Sequence, residues 1–86
     1  MKEDEKLFFR ICVKYSGKVI GGIRIREIIG ILYHAGVLHY KRCWYLLEKW
    51  ERLGFYNYGV TQDLGWIELD NLPERYAALL EMREVT

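Results

Sequence analysis

The sequence predicts an α+β fold in which three helices precede a two-stranded hairpin and a short terminal helix follows it. Three observations carry that expectation. Apolar residues recur at helical spacing over three successive segments, a glycine at position 54 stops the third, and two short β-rich runs separated by turn residues come directly after it. At 86 residues the chain is sized for a single domain, residues 1–86, with one modest core. Half of its residues are apolar and 15% are aromatic, which is material for such a core and unlike a disordered chain.

The first helix is expected to begin at Glu3, Asp4 and Glu5, acids that suit the positive end of a helix dipole. Leu7, Phe8, Ile11, Cys12 and Tyr15 then repeat at three- and four-residue spacing, and Ser16 and Gly17 end the run. Phe9 and Val13 lie four apart on another side of this helix. Two readings stay open: a central helix buried all round, or a side that meets a second copy of the chain, with Tyr76 and Leu80 completing a homodimer interface. The β-branched content of the run leaves a strand as a lesser alternative.

Residues 17–22, GKVIGG, are too few and too rich in glycine for a helix, and Lys18, Val19 and Ile20 suit a short strand. Gly22 is placed to cap a second helix whose apolar stripe is Ile25, Ile28, Ile29 and Leu32, with Tyr33 at its edge. Ala35 and Gly36 end it, Gly36 being free to take the left-handed conformation. Val37, Leu38 and His39 lead straight into the third helix. There Cys43, Leu46, Leu47, Trp50 and Leu53 fall on one side, Lys41, Tyr45, Glu48 and Arg52 on the opposite side, and Arg42, Trp44 and Lys49 on the flanks.

After Gly54, residues 55–60 are aromatic and β-branched, and residues 65–69 alternate, with Trp66 and Glu68 on one face and Ile67 and Leu69 on the other. Thr61, Gln62, Asp63 and Leu64 form the intervening turn. Asp70 or Asn71 is expected to cap a last helix that receives Pro73 in its first turn and carries Leu72, Tyr76, Leu79 and Leu80 as its stripe.

Net charge is +1, but its distribution is uneven: residues 10–60 sum to +6 and residues 61–86 to −4. A basic middle between acidic ends can present a positive face on a nearly neutral chain, although charges so placed can also do no more than solvate helix backs. The apolar runs are too short to span a bilayer, so no membrane partner is expected. The charged N-terminus is not followed by a signal-peptide pattern, which makes a cytoplasmic, intracellular setting the expectation.

No phosphate-binding loop, nucleophile elbow, paired CxxC or zinc-protease motif occurs, and no enzymatic activity or cofactor is expected. His39 and Cys43 are four apart and share a helix face, yet Cys43 belongs to the apolar stripe and no further ligand has suitable spacing, so no metal site is expected either. Cys12 and Cys43 read as small buried hydrophobes, with a disulfide between their helices as the other possibility.

The segment WERLGFY, with Trp50 as the inward residue four before Gly54 and with Phe55 and Tyr56 opening a strand, resembles the helix end of winged helix-turn-helix regulators. Leu47 and Cys43 match the preceding inward positions, and the resemblance extends in outline over residues 17–69. It implies a three-helix core with a β-hairpin wing and a double-stranded DNA partner met by the third helix. Carried onto this chain, it places Lys41, Arg42, Trp44, Tyr45, Glu48 and Lys49 at the DNA, with Arg24 and Arg26 of the second helix in support and Tyr58, Thr61, Gln62 and Trp66 on the wing. Arg42 would suit a bidentate guanine contact, and Lys41 and Lys49 would neutralise phosphates. The wing departs from the pattern, because no Lys or Arg lies between Arg52 and Arg75. That absence, together with the density of Tyr and Trp, keeps a second expectation open: an interaction module whose aromatic surface binds a protein partner.

Overall fold

The computed structural model describes residues 1–15, 23–59 and 65–81. Among these the chain forms α1 (Glu3–Tyr15), α2 (Ile25–His34), α3 (Tyr40–Leu53), β1 (Tyr56–Asn57), β2 (Trp66–Ile67), a short 3-10 turn (Leu69–Asn71) and α4 (Glu74–Glu81). The expected α+β order of three helices, a hairpin and a terminal helix is therefore present. The expected strand at Lys18, Val19 and Ile20 and the turn at Thr61, Gln62, Asp63 and Leu64 fall outside the described residues, as does Gly22.

α1 is the organising element, packing against α2, α4 and β2, while α3 packs against α2 and β1. Its buried side is Glu5, Phe8, Phe9 and Cys12; of the stripe that the periodicity suggested, Phe8 and Cys12 are buried and Ile11 packs against the core, while Leu7 and Tyr15 at its edges are exposed. That facing has a clear cause. It brings Phe8 and Phe9 together onto the indole of Trp50, with ring centroids 5.3 and 5.7 Å away. Phe55 and Tyr76 close this aromatic half of the core, 4.7 Å apart. Burying two phenylalanines in such a cluster removes more apolar surface from water than burying Leu7 and Tyr15 at the helix edge. The aliphatic half consists of Ile25, Ile28, Ile29 and Leu32 of α2 with Leu38, Cys43, Leu46 and Leu47.

α2 begins at Ile25 with Arg24 in the cap position, and no side chain caps it. It ends as expected, with Gly36 at φ +72°. The Gly36 and Val37 amides donate back to the carbonyls of Tyr33 and Leu32, at 3.0 and 2.9 Å. α3 ends in the same way at Gly54, φ +93°, where the Gly54 amide donates to Glu51 and the Phe55 amide to Trp50. Both ends are the six-residue closure that a left-handed residue permits and a β-carbon disfavours. At Gly54 the closure does more than stop the helix, because it turns Phe55 back onto Trp50, 5.9 Å between ring centroids, and so starts the hairpin from the core. Leu53, expected on the inward stripe, is instead exposed beside this turn.

β1 and β2 pair antiparallel, Tyr56 opposite Ile67 and Asn57 opposite Trp66, and the Glu68 amide extends the ladder to the Phe55 carbonyl at 2.7 Å. The last helix differs from the expected cap. Asp70 and Asn71 belong to the separate 3-10 turn, and α4 starts after Pro73, whose carbonyl accepts from Ala77 at 3.0 Å. Pro73 has no amide to leave unsatisfied there, so it suits a position preceding the first helical turn.

Candidate nucleic-acid interface

The surface of α3 divides into four strips, each with its own electrostatic character. Its inward strip, Cys43, Leu46, Leu47 and Trp50, is completely buried. The flank facing α1 carries Arg42 and Lys49, and each is met by an acid. Asp4 accepts from Arg42 Nε at 2.8 Å and from Nη2 at 3.2 Å. Glu5 accepts from Lys49 Nζ at 2.8 Å. Asp4 is held below the usual carboxylate range by the Arg42 hydrogen bond, and the same pairing raises Arg42. Arg42 and Lys49, two of the five cations expected at DNA, are thus each paired with an acid of α1.

Glu5 does more than pair. It is buried to 2% exposure, and its second oxygen accepts from the indole Nε1 of Trp50 at 3.0 Å and from the Tyr76 hydroxyl at 2.6 Å. One carboxylate therefore ties α1 to α3 and α4. Burial pushes its pKa up, but the hydrogen bonds from Lys49, Tyr76 and Trp50 outweigh burial and the net shift is downward. Tyr76 is pushed up to about 12, first by burial and then by Glu5. The role was legible in part: Glu5 stands three and four residues before Phe8 and Phe9, on the stripe that is buried, but the three consecutive acids read equally well as a solvated first turn.

These shifts set the pH dependence. A carboxylate with a depressed folded pKa stabilises the fold above its unfolded pKa and loses that contribution as pH falls through the folded value. A tyrosine with a raised pKa stabilises the fold below its unfolded value of 10.0 and loses that contribution as pH rises towards about 12. Urea unfolding across pH is expected to show both limbs. Glu5→Gln should flatten the acid limb and Tyr76→Phe the alkaline one, and because each group is among the causes of the other's shift, each change should also shrink the other limb.

The outward strip of α3 is Lys41, Tyr45, Glu48 and Arg52, all exposed. Its beginning is fixed by His39, whose Nδ1 accepts from the Lys41 amide at 3.1 Å and caps the helix. That bond commits His39 to capping, while Cys43 faces the core, so the pair does not converge on a shared ligand position. The flank towards the hairpin carries Trp44, half-buried against the core, and Glu51, which hydrogen-bonds Tyr58 and raises its hydroxyl pKa. This edge is acidic.

The remaining expected residues scatter. Arg24 and Arg26 are exposed at the start of α2. Tyr58 is exposed, whereas Trp66 is half-buried with its indole donating to Glu68; Thr61 and Gln62 lie outside the described residues. Two of the residues expected at a dimer surface, Phe9 and Tyr76, are core residues instead. Phe9 and Tyr76 have 0% exposure in the aromatic core and Val13 packs against it, leaving only Leu80 of the four exposed. The reason is that Phe9 and Tyr76 are each other's partners, 5.3 Å apart. Cys12 and Cys43 are buried thiols not joined by a disulfide, Cys12 raised well above its ordinary value and Cys43 to about 11, chiefly by burial. They act as core hydrophobes.

Among the described residues no helix is long and apolar enough to cross a membrane. No protein-family model matches the chain, and no curated protein or solved structure matches it.

Proposed function

We propose that this chain is a winged helix-turn-helix domain that binds double-stranded DNA and acts as a small transcriptional regulator, with α3 lying in the major groove. The observation that carries this reading is the outward strip of α3. Lys41, Tyr45 and Arg52 stand exposed on the face opposite a completely buried stripe, on a helix held at its start by a short turn from α2 and at its end by the hairpin. Such a helix is rigidly mounted, presents cations to phosphates and offers an aromatic side chain to the groove wall. Lys41 in the first turn and Arg52 in the last are far enough apart to meet phosphates on either side of a groove. Lys49 drops out of the contact set, since its charge is spent on Glu5.

Affinity for a mixed-sequence duplex, measured by fluorescence anisotropy at several salt concentrations, tests this. Binding should weaken steeply with salt, and Lys41→Ala and Arg52→Ala should each reduce the slope of log K against log salt by about 1. Absence of binding at low salt contradicts the reading.

A second reading rests on a different surface. Tyr33, His39 and Tyr40 pack edge to face around the α2–α3 turn, and Tyr33, Val37 and Tyr40 are all exposed. Aromatic and apolar groups so gathered suit a protein partner. Under that reading Tyr33→Ala with Tyr40→Ala abolishes partner capture while DNA affinity stays where it was.

A further inference from the structure

We propose that the outward face of α2 is the contact surface for a second copy of this chain, the two α2 helices packing antiparallel about a twofold axis beside Gly30 and Ile31. Glu27, Gly30, Ile31 and His34 follow the i, i+3, i+4, i+7 spacing that sets residues along one side of a helix, opposite the buried Ile25, Ile28, Ile29 and Leu32. Glu27, Ile31 and His34 are exposed. At 60% exposure, Ile31 is the most open of the large apolar side chains among the described residues. It stands on the rim of an apolar groove of about 230 Å³ between α1 and α2, lined also by Ile11, Tyr15, Ile23, Ile28 and Leu32.

Gly30 is the member of this face that the single chain does not explain. Within a helix glycine is disfavoured more than any residue but proline. Its backbone here is not left-handed, and a β-carbon built on it meets no other side chain and no neighbouring element within 4 Å. What a glycine offers at such a place is close approach from outside the chain. A twofold contact uses one patch twice, so every feature must find its complement on that same patch. Antiparallel packing meets this condition. Ile31 of each copy faces the partner's Gly30 and fills the space left there, and Glu27 faces the partner's His34 at either end of the contact. An acid against a histidine is complementary, whereas parallel packing would set Glu27 beside Glu27 and His34 beside His34. The patch thus carries both a protruding side chain and its socket, and both halves of a polar pair. Two ten-residue helices bury less than the roughly 1,200 Å² of a small stable complex, so dissociation in the micromolar range or weaker is expected.

Sedimentation equilibrium of the full chain, without DNA, tests the contact independently of the reading of α3. The wild type should self-associate reversibly to a dimer below about 1 mM. Ile31→Ser, at an exposed position, should weaken that association by more than about tenfold. Gly30→Leu carries the sharper expectation. Leucine is a strong helix former with open space in front of it, so the melting temperature of the dilute monomer should rise while association weakens by more than about tenfold. A purely structural role for Gly30 would move both in the same direction. Glu27→Lys should weaken association, and the exchange variant Glu27→Lys with His34→Glu should restore it, because the antiparallel register again sets opposite charges face to face. Thermal melts establish that each variant is folded. A wild type that stays monomeric at about 1 mM overturns the proposal. A dimer unaffected by both Ile31→Ser and Gly30→Leu overturns it as well, and failure of the exchange variant to recover overturns the antiparallel register.

Discussion

Glu5→Ala is expected to destabilise the fold by about 3–5 kcal/mol, since it leaves two interior donors without an acceptor at about 1–3 kcal/mol each and removes the Lys49 ion pair. In a domain of this size that lowers the melting temperature by more than about 10 °C. The reason lies in the donor set. Lys49 Nζ, Trp50 Nε1 and the Tyr76 hydroxyl all converge on this side chain. An ionised carboxylate accepts at both oxygens and donates at neither, so it satisfies all three. Alanine leaves the indole N–H and the phenol without an acceptor in the interior, each costing about 1–3 kcal/mol, while Lys49, 30% exposed, can turn to water. Glu5→Gln keeps the volume but sets an amide NH₂ against a site built from donors, and should cost more than its near-isosteric shape suggests. Thermal melts of the two variants check both statements, and an unchanged melting temperature in Glu5→Ala would remove the hub from the account.

The other large effect is expected at Trp50. Trp50→Ala deletes the ring on which Phe8, Phe9 and Phe55 pack and should cost about 3–5 kcal/mol, a large part of the roughly 5–15 kcal/mol that holds a domain together. Trp50→Phe separates packing from hydrogen bonding, since it keeps an aromatic ring and removes only the donor to Glu5. Because Trp50 and Glu5 share one network, the double variant Glu5→Ala with Trp50→Phe should lose less than the two single losses added together. Chemical denaturation of the four proteins measures that coupling. Strict additivity would mean that the indole N–H contributes nothing through Glu5.

The fold was readable because its elements follow from local rules. The glycines at 36 and 54 end helices where left-handed backbone is required, and the stripe Cys43, Leu46, Leu47, Trp50 is buried as its spacing implies. The site was less readable because it depends on which faces meet across the chain. Arg42 and Lys49 read as free cations from sequence, since nothing local announces that Asp4 and Glu5, 38 and 44 residues earlier, will lie against them. Phe9 and Tyr76 read as candidate contacts for a second chain for the same reason: each has its partner 67 positions away in the sequence, which periodicity cannot see. Helical spacing fixes a residue's face to within a flank, and one flank of α3 is salt-bridged while the next is open. The difference between a salt-bridged and a solvent-facing cation lies within that margin.

Contact between the outward face of α3 and duplex DNA is tested most directly by following backbone amide resonances during titration with the duplex. The expected result is a contiguous set of shifts at Tyr40, Lys41, Tyr45, Glu48 and Arg52, with α4 unaffected. Shifts confined to Tyr33, Val37 and the far side of α2, or no shifts at low salt, would contradict it.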